Sequence, residues 1–182
     1  MHPDASFFEI LNTDGSSQAR CGRLKTAHGL VETPVFMPVG TQAAVKAMAP
    51  RELEEAGVTM LLANAYHLRV RPGIEIIKRC GGLHAFMGWQ HPILTDSGGY
   101  QVFSLAARRQ IRPEGVEFNS HVDGERLFLG PSEVMAIQRE LGADIAMVFD
   151  DCAPYPCPYE SACQTVERTL GWALNCAAQP RA

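Results

Sequence analysis

Four short stretches constrain the fold more than anything else in this chain. They are Pro34–Gly40 (PVFMPVG), the run VTMLLANAYHL from Val58, Pro92–Asp96 (PILTD) and Ala143–Asp151 (ADIAMVFDD). Each is apolar on successive residues rather than alternate ones, so a strand built from it is buried on both faces. In the second, burial is expected through Met60 to Ala63. Between the runs lie helix-length amphipathic segments. Pro50 suits a first helical turn, Leu53 and Ala56 share a face, and Gly57 supplies a stop. Beyond Pro72, Ile74, Ile77 and Lys78 fall at helical spacing before Gly81 and Gly82. Val134, Ile137 and Leu141 line one face of PSEVMAIQRELG, and a last run after APYPCP aligns Ala162, Val166, Leu170 and Leu174. Doubly buried strands separated by helices predict an α/β fold with a parallel sheet, here of four βα units.

Two segments break the pattern and read as antiparallel. Residues 1–33 predict a small ribbon before the parallel part, which occupies 34–182. In GVEFNSHVDGERLFLG, Asp123-Gly124 is a strong hairpin signal between alternating runs. This hairpin falls between the third strand and its helix, as an insertion at the carboxyl end of that strand.

With 46% hydrophobic residues among 182, the chain can bury a sizeable core, and a single domain is the prior expectation. A net charge of −4 supplies no overall basic footprint for nucleic acid. Local clusters exist (Arg69, Arg71, Lys78, Arg79; then Arg108, Arg109, Arg112), each read first as a solvated face. The six cysteines form no C-x-x-C pair, and the spacing of Cys152, Cys157 and Cys163 matches no common zinc knuckle. No metal ligand set is therefore expected within these residues. The N-terminus lacks a basic segment followed by an apolar run, and no apolar stretch approaches the ~20 residues of a membrane span. Free thiols and a cytoplasmic location are expected.

In parallel α/β folds the residues just past the strand ends carry the chemistry. That rule selects Gly40 and Thr41 after the first strand, then Asn64, Tyr66 and His67 after the second. The third contributes Asp96, Ser97, Gly98, Gly99, Tyr100 and Gln101, and the fourth Asp150, Asp151 and Cys152. Two strands thus end in carboxylates near one rim, an arrangement suited to acid–base work or to recognising N–H donors. Gly98 and Gly99 would let a flat ligand approach the backbone, with Tyr100 free to stack on it. The plainer alternatives are a strand-terminating turn capped by Asp96, an ordinary cap or magnesium site at Asp150-Asp151, and a satisfied half-buried His67. No Gly-rich phosphate loop is present.

These residues resemble one family, the tRNA-guanine transglycosylases, and especially the bacterial queuosine type. TPVFMPVGTQAAVKAM, NAYHLRVRPG, GLHAFMGW, LTDSGGYQVFSL and MVFDDCAPYP match its signatures in order, from about Arg23 to the last helix. The resemblance implies a TIM (β/α)8 barrel, and an eight-unit barrel needs about 250 residues. This chain is accordingly expected to be its N-terminal half, with the C-terminal half and a zinc subdomain lying downstream. It also implies exchange of the wobble guanine in tRNAs for Asp, Asn, His and Tyr against 7-aminomethyl-7-deazaguanine, through a covalent enzyme–RNA intermediate.

Carried over by position, Asp96 resembles the general acid/base and Ser97, Gly98 and Gly99 the substrate-contacting backbone. Tyr100 resembles the stacking ring, and Asp150 the acceptor for the N–H edge of guanine. Asn64 and Gln101 resemble ribose contacts. Cys152 lines the same pocket by position, and Asp151 stands where bacterial members often carry Glu. The nucleophilic aspartate and the structural zinc ligands are expected beyond Ala182, so the 182 residues alone are expected to be inactive. Implied partners are the tRNA anticodon loop, guanine and its deaza analogue, and a second subunit in a homodimer. A non-catalytic partner subunit and a barrel glycoside hydrolase using Asp96 and Asp150 are the alternatives.

Overall fold

The computed structural model describes residues 7–105 and 109–180. It opens with β1 (Phe8–Thr13), β2 (Arg20–Thr26) and β3 (Gly29–Thr33), an antiparallel sheet in that order. The expected N-terminal ribbon is therefore present.

A helix-and-strand region follows: α1 (Pro50–Glu55), β4 (Leu61–Asn64), α2 (Ala65–Val70), α3 (Ile74–Arg79), α4 (Leu83–Met87) and β5 (Ile93–Asp96). The Glu52 carboxylate accepts the Ala49 N–H at 2.6 Å, which satisfies a donor at the start of α1. Beyond β5 come α5 (Gly99–Leu105) and then β6 (Arg109–Arg112), β7 (Gly115–Asn119) and β8 (Arg126–Leu129). Next are α6 (Pro131–Leu141), β9 (Ile145–Ala146) and α7 (Tyr159–Ala177). Pro131 opens α6 and Gly142, at φ 71°, closes it in a left-handed conformation that suits glycine.

The central sheet is parallel, ordered β4-β5-β9. Its register pairs Leu62 with Leu94 and Asn64 with Asp96. Side chains alternate across a strand, so Leu61, Ala63 and Ile93 enter the helix-covered core with Leu53, Leu68, Ile77, Leu83, Trp89 and Leu141. Leu62 and Leu94 point the other way and are only half-buried, and Asn64 and Asp96 share their side. A second core joins Tyr66, Val102, Phe118, Leu129, Phe149 and Trp172, with Ile137 of α6 packed against both.

Several expected boundaries shift. Pro34–Gly40 is not a full strand. Val39 alone bridges Leu62 in parallel, flanked by the bonds Leu62 N–H to Pro38 O and Gly40 N–H to Leu62 O. The prolines at 34 and 38 carry no N–H for a ladder, which keeps the segment short. The second run stops at Asn64, and Tyr66–Leu68 are helical. The fourth pairs with β5 only over Ile145–Ala146; past it the Met147 N–H makes one more bond to Thr95 O at 3.2 Å, and the Gln138 side chain also holds the Met147 N–H and C=O.

The hairpin is a three-stranded meander, since β6 adds to it, and α5 separates it from β5. On α7 the expected apolar stripe is largely uncovered: Val166, Leu170 and Leu174 are 57%, 61% and 74% exposed, while Trp172 and Cys176 are buried. Arg108 lies outside the described residues. No described helix is long and apolar enough to cross a membrane.

Candidate active site at the carboxyl rim

The parallel register sets the site. Because Asn64 and Asp96 are partners at the ends of adjacent strands, their side chains lie next to each other on one face. The Asn64 Nδ2 donates to Asp96 Oδ2 in a short contact. The same oxygen accepts from Gln101 Nε2 at 3.0 Å, and Asp96 Oδ1 accepts the Ala65 N–H at 3.0 Å. Three donors from three directions hold this half-buried carboxylate in one rotamer. Gln101 Oε1, facing the same neighbourhood, is buried without a partner.

One residue later the chain turns to the second acid. Ser97 Oγ donates to Asp150 Oδ1 at 3.0 Å, and the Gly99 N–H reaches Ser97 Oγ at 3.4 Å. Asp96 and Asp150 therefore sit on the same rim, linked through the residue that follows Asp96. The neighbouring Asp151 has a different allegiance. Its carboxylate pairs with Arg168 and its N–H donates to Thr169 Oγ1 at 3.0 Å, so α7 holds it in place. Among the described residues, neither acid belongs to a His/Cys/Asp/Glu group close enough to hold a metal ion.

The two glycines serve protein neighbours. Gly98 has φ +83°, and a Cβ there would lie 2.9 Å from Tyr66 Cβ. A Cβ on Gly99 would overlap the Asp150 carboxylate. Their missing side chains let Tyr66 and Asp150 settle against the backbone. Tyr100, by contrast, is 61% exposed at the first turn of α5, with its ring available to a flat ligand. Cys152 is half-buried, and burial together with the charges of Asp150 and Asp151 pushes its thiol up, away from a nucleophilic thiolate.

A second tier braces the rim. Tyr66 Oη lies 2.7 Å from His121 Nδ1, joining α2 to the β7–β8 turn. His67 meets both rings edge-on, at 5.4 Å and 5.8 Å. Burial, then the neighbouring His121, hold the His67 imidazole below its ordinary range. The Tyr66–His121 pairing has no sequence signal, because 55 residues separate the two.

The family model described as queuine tRNA-ribosyltransferase matches residues 14–182. The chain belongs to this family. Queuine tRNA-ribosyltransferases from Desulforudis audaxviator and Moorella thermoacetica are 58% and 59% identical to it, over 92% and 93% of its length. The homologue from Symbiobacterium thermophilum is 53% identical over 94%. The chain spans 45%, 45% and 43% of those three proteins, a little under half of each.

Proposed function

We propose that the protein carrying this chain is a tRNA-guanine transglycosylase of the queuosine type, and that residues 34–182 form the first half of its (β/α)8 barrel. One observation carries the reading: Asp96 and Asp150 occupy one rim, tied together by Ser97 beside the exposed ring of Tyr100. The substrate guanine stacks on Tyr100 and presents N1–H and its exocyclic amine to Asp150, whose two acceptor oxygens match them. An adenine-like edge offers an acceptor at that point and is rejected.

Chemistry follows the retaining pattern. A carboxylate supplied by another part of the protein attacks C1′ of the ribose as the bond to guanine breaks, and Asp96 gives its proton to the departing base, which leaves it ionised. The incoming 7-aminomethyl-7-deazaguanine then surrenders a ring proton to Asp96 and displaces the carboxylate. Asn64 and Gln101 hold Asp96 in place and lie on the ribose side of the base. The target nucleotide leaves its stack first, at a cost of a few kcal/mol. Structural zinc would be held by ligands outside these residues. Function in the cytoplasm as a homodimer completes the proposal.

The test is labelled-guanine exchange into a tRNA with a GUN anticodon, using the full-length protein. We expect Asp150→Asn to lower kcat/KM for guanine by about 100-fold, or ~3 kcal/mol, while tRNA binding changes little. Loss of tRNA binding with retained base selection would refute the role given to Asp150.

A further inference from the structure

His121 has no part in the proposed chemistry, yet its ring reaches a buried residue directly behind the rim. It occupies an exposed position in the turn between β7 and β8. Hydrogen bonds within the turn build it in advance. The Ser120 N–H donates to Glu125 O at 2.8 Å, the Gly124 N–H to Ser120 O at 3.0 Å, and Asn119 Nδ2 to Gly124 O at 2.9 Å. The Glu125 N–H donates to Asp123 Oδ1 at 3.1 Å, closing the turn from within. A ring carried on such a turn is presented at a defined place.

What the ring meets there is Tyr66, a buried member of the second core, with Oη 2.7 Å from His121 Nδ1. Burial pushes the Tyr66 phenol up, so the hydroxyl keeps its proton and donates to the unprotonated Nδ1 of a neutral imidazole. Tyr66 in turn touches the supports of both rim acids. The two residues before it, Asn64 and Ala65, donate to the Asp96 carboxylate. Its own backbone and Cβ lie against Gly98, since a Cβ on that glycine would come 2.9 Å from Tyr66 Cβ and 3.5 Å from its nitrogen. Gly98 stands between Ser97, which donates to Asp150, and Gly99, against which Asp150 rests. Any shift of Tyr66 therefore moves the cradle of Asp96 and the turn beneath Asp150 together.

We infer that His121 is a positioning residue for base exchange: acting through the Tyr66 hydroxyl, it fixes how Asp96 and Asp150 are spaced around the purine. The inference rests on the proposed transglycosylase function. Truncating His121 opens an exposed place to water, which takes up the Tyr66 hydroxyl, so folding stability changes little. Turnover is far more sensitive, because a displacement of about 1 Å at the reacting groups can cost about 100-fold in rate. The loss belongs in kcat, since the chain's grip on the rest of the tRNA does not run through this bond.

The experiment measures labelled-guanine exchange and thermal melts of the full-length protein, wild type against His121→Ala, His121→Asn, Tyr66→Phe and the double variant His121→Ala with Tyr66→Phe. His121→Ala should lower kcat about tenfold, with KM for tRNA and the melting temperature nearly unchanged. Tyr66→Phe keeps the ring against Gly98 and removes only the hydroxyl, so it should show the same loss. The double variant should be no slower than either single one, because both changes delete one bond. His121→Asn offers an acceptor oxygen near the place of Nδ1 and should restore most of the rate. Full activity in His121→Ala would overturn the inference. So would losses that multiply in the double variant, which would mean that His121 meets the RNA on its own. A wild type that exchanges no guanine would instead refute the transglycosylase reading, and this inference with it.

Discussion

On the proposed function, Asp96 carries two jobs at once. Read from the sequence, Asp96→Asn should stop turnover without affecting folding. The structure adds a stability cost, because the carboxylate accepts from Asn64, Gln101 and the Ala65 N–H. An asparagine has one acceptor oxygen, so its NH2 must oppose one of those donors. We expect Asp96→Asn to abolish exchange and also to lower stability by about 1–3 kcal/mol, read as an earlier denaturant midpoint. Gly99→Ala tests the adjoining contact, since the new methyl meets the Asp150 carboxylate. Exchange should fall with a destabilisation of about 2 kcal/mol. A fully active, fully stable Gly99→Ala enzyme would show that Asp150 can sit elsewhere.

At the level of elements, α6 steers the site from behind. Gln138 is buried and reaches the Thr95 hydroxyl at 2.9 Å, the Met147 N–H at 2.9 Å and the Met147 carbonyl at 2.8 Å. One helical side chain thereby fixes both β5 and the extended segment that delivers Asp150. Replacing it with methionine keeps the volume and takes that partner from the Thr95 hydroxyl and the Met147 carbonyl. Gln138→Met should cost about 3 kcal/mol and several degrees of melting temperature. It should also reduce kcat although the residue lies outside the rim, and unchanged kinetics would argue that Asp150 is held by Ser97 alone.

For the whole molecule, the uncovered stripe of α7 is the dominant feature. Val166, Leu170 and Leu174 present a continuous apolar face, and Val39, Met147 and Val148 are exposed at 48%, 44% and 39%. Faces of this kind mark contact with further protein, in keeping with a chain spanning 45% of its relative from Desulforudis audaxviator. In the 182-residue chain, Leu170→Lys with Leu174→Lys should suppress self-association in light scattering and move the melting temperature by little, as surface changes do. A large fall in melting temperature would mean that the stripe is already packed.

Sequence by itself determined the alternation of apolar runs and helices, the N-terminal ribbon, the turn at Asp123-Gly124 and the rim residues from Asp96 to Gln101. Those features are local: periodicity, turn chemistry and strand ends are written in neighbouring residues. Tertiary structure decided the rest. The fourth run looks like a nine-residue strand, yet its pairing with β5 stops within two residues, apart from one bond from the Met147 N–H to Thr95 O, and Gln138 braces the segment that follows. Gly98 and Gly99 stand out in the sequence, but which neighbours need them to lack a side chain, Tyr66 and Asp150, emerges only in three dimensions. The pairing of Tyr66 with His121, and of His28 and His84 with Asp144, joins residues dozens of positions apart. No local pattern encodes such meetings, because the packing of whole elements brings them about.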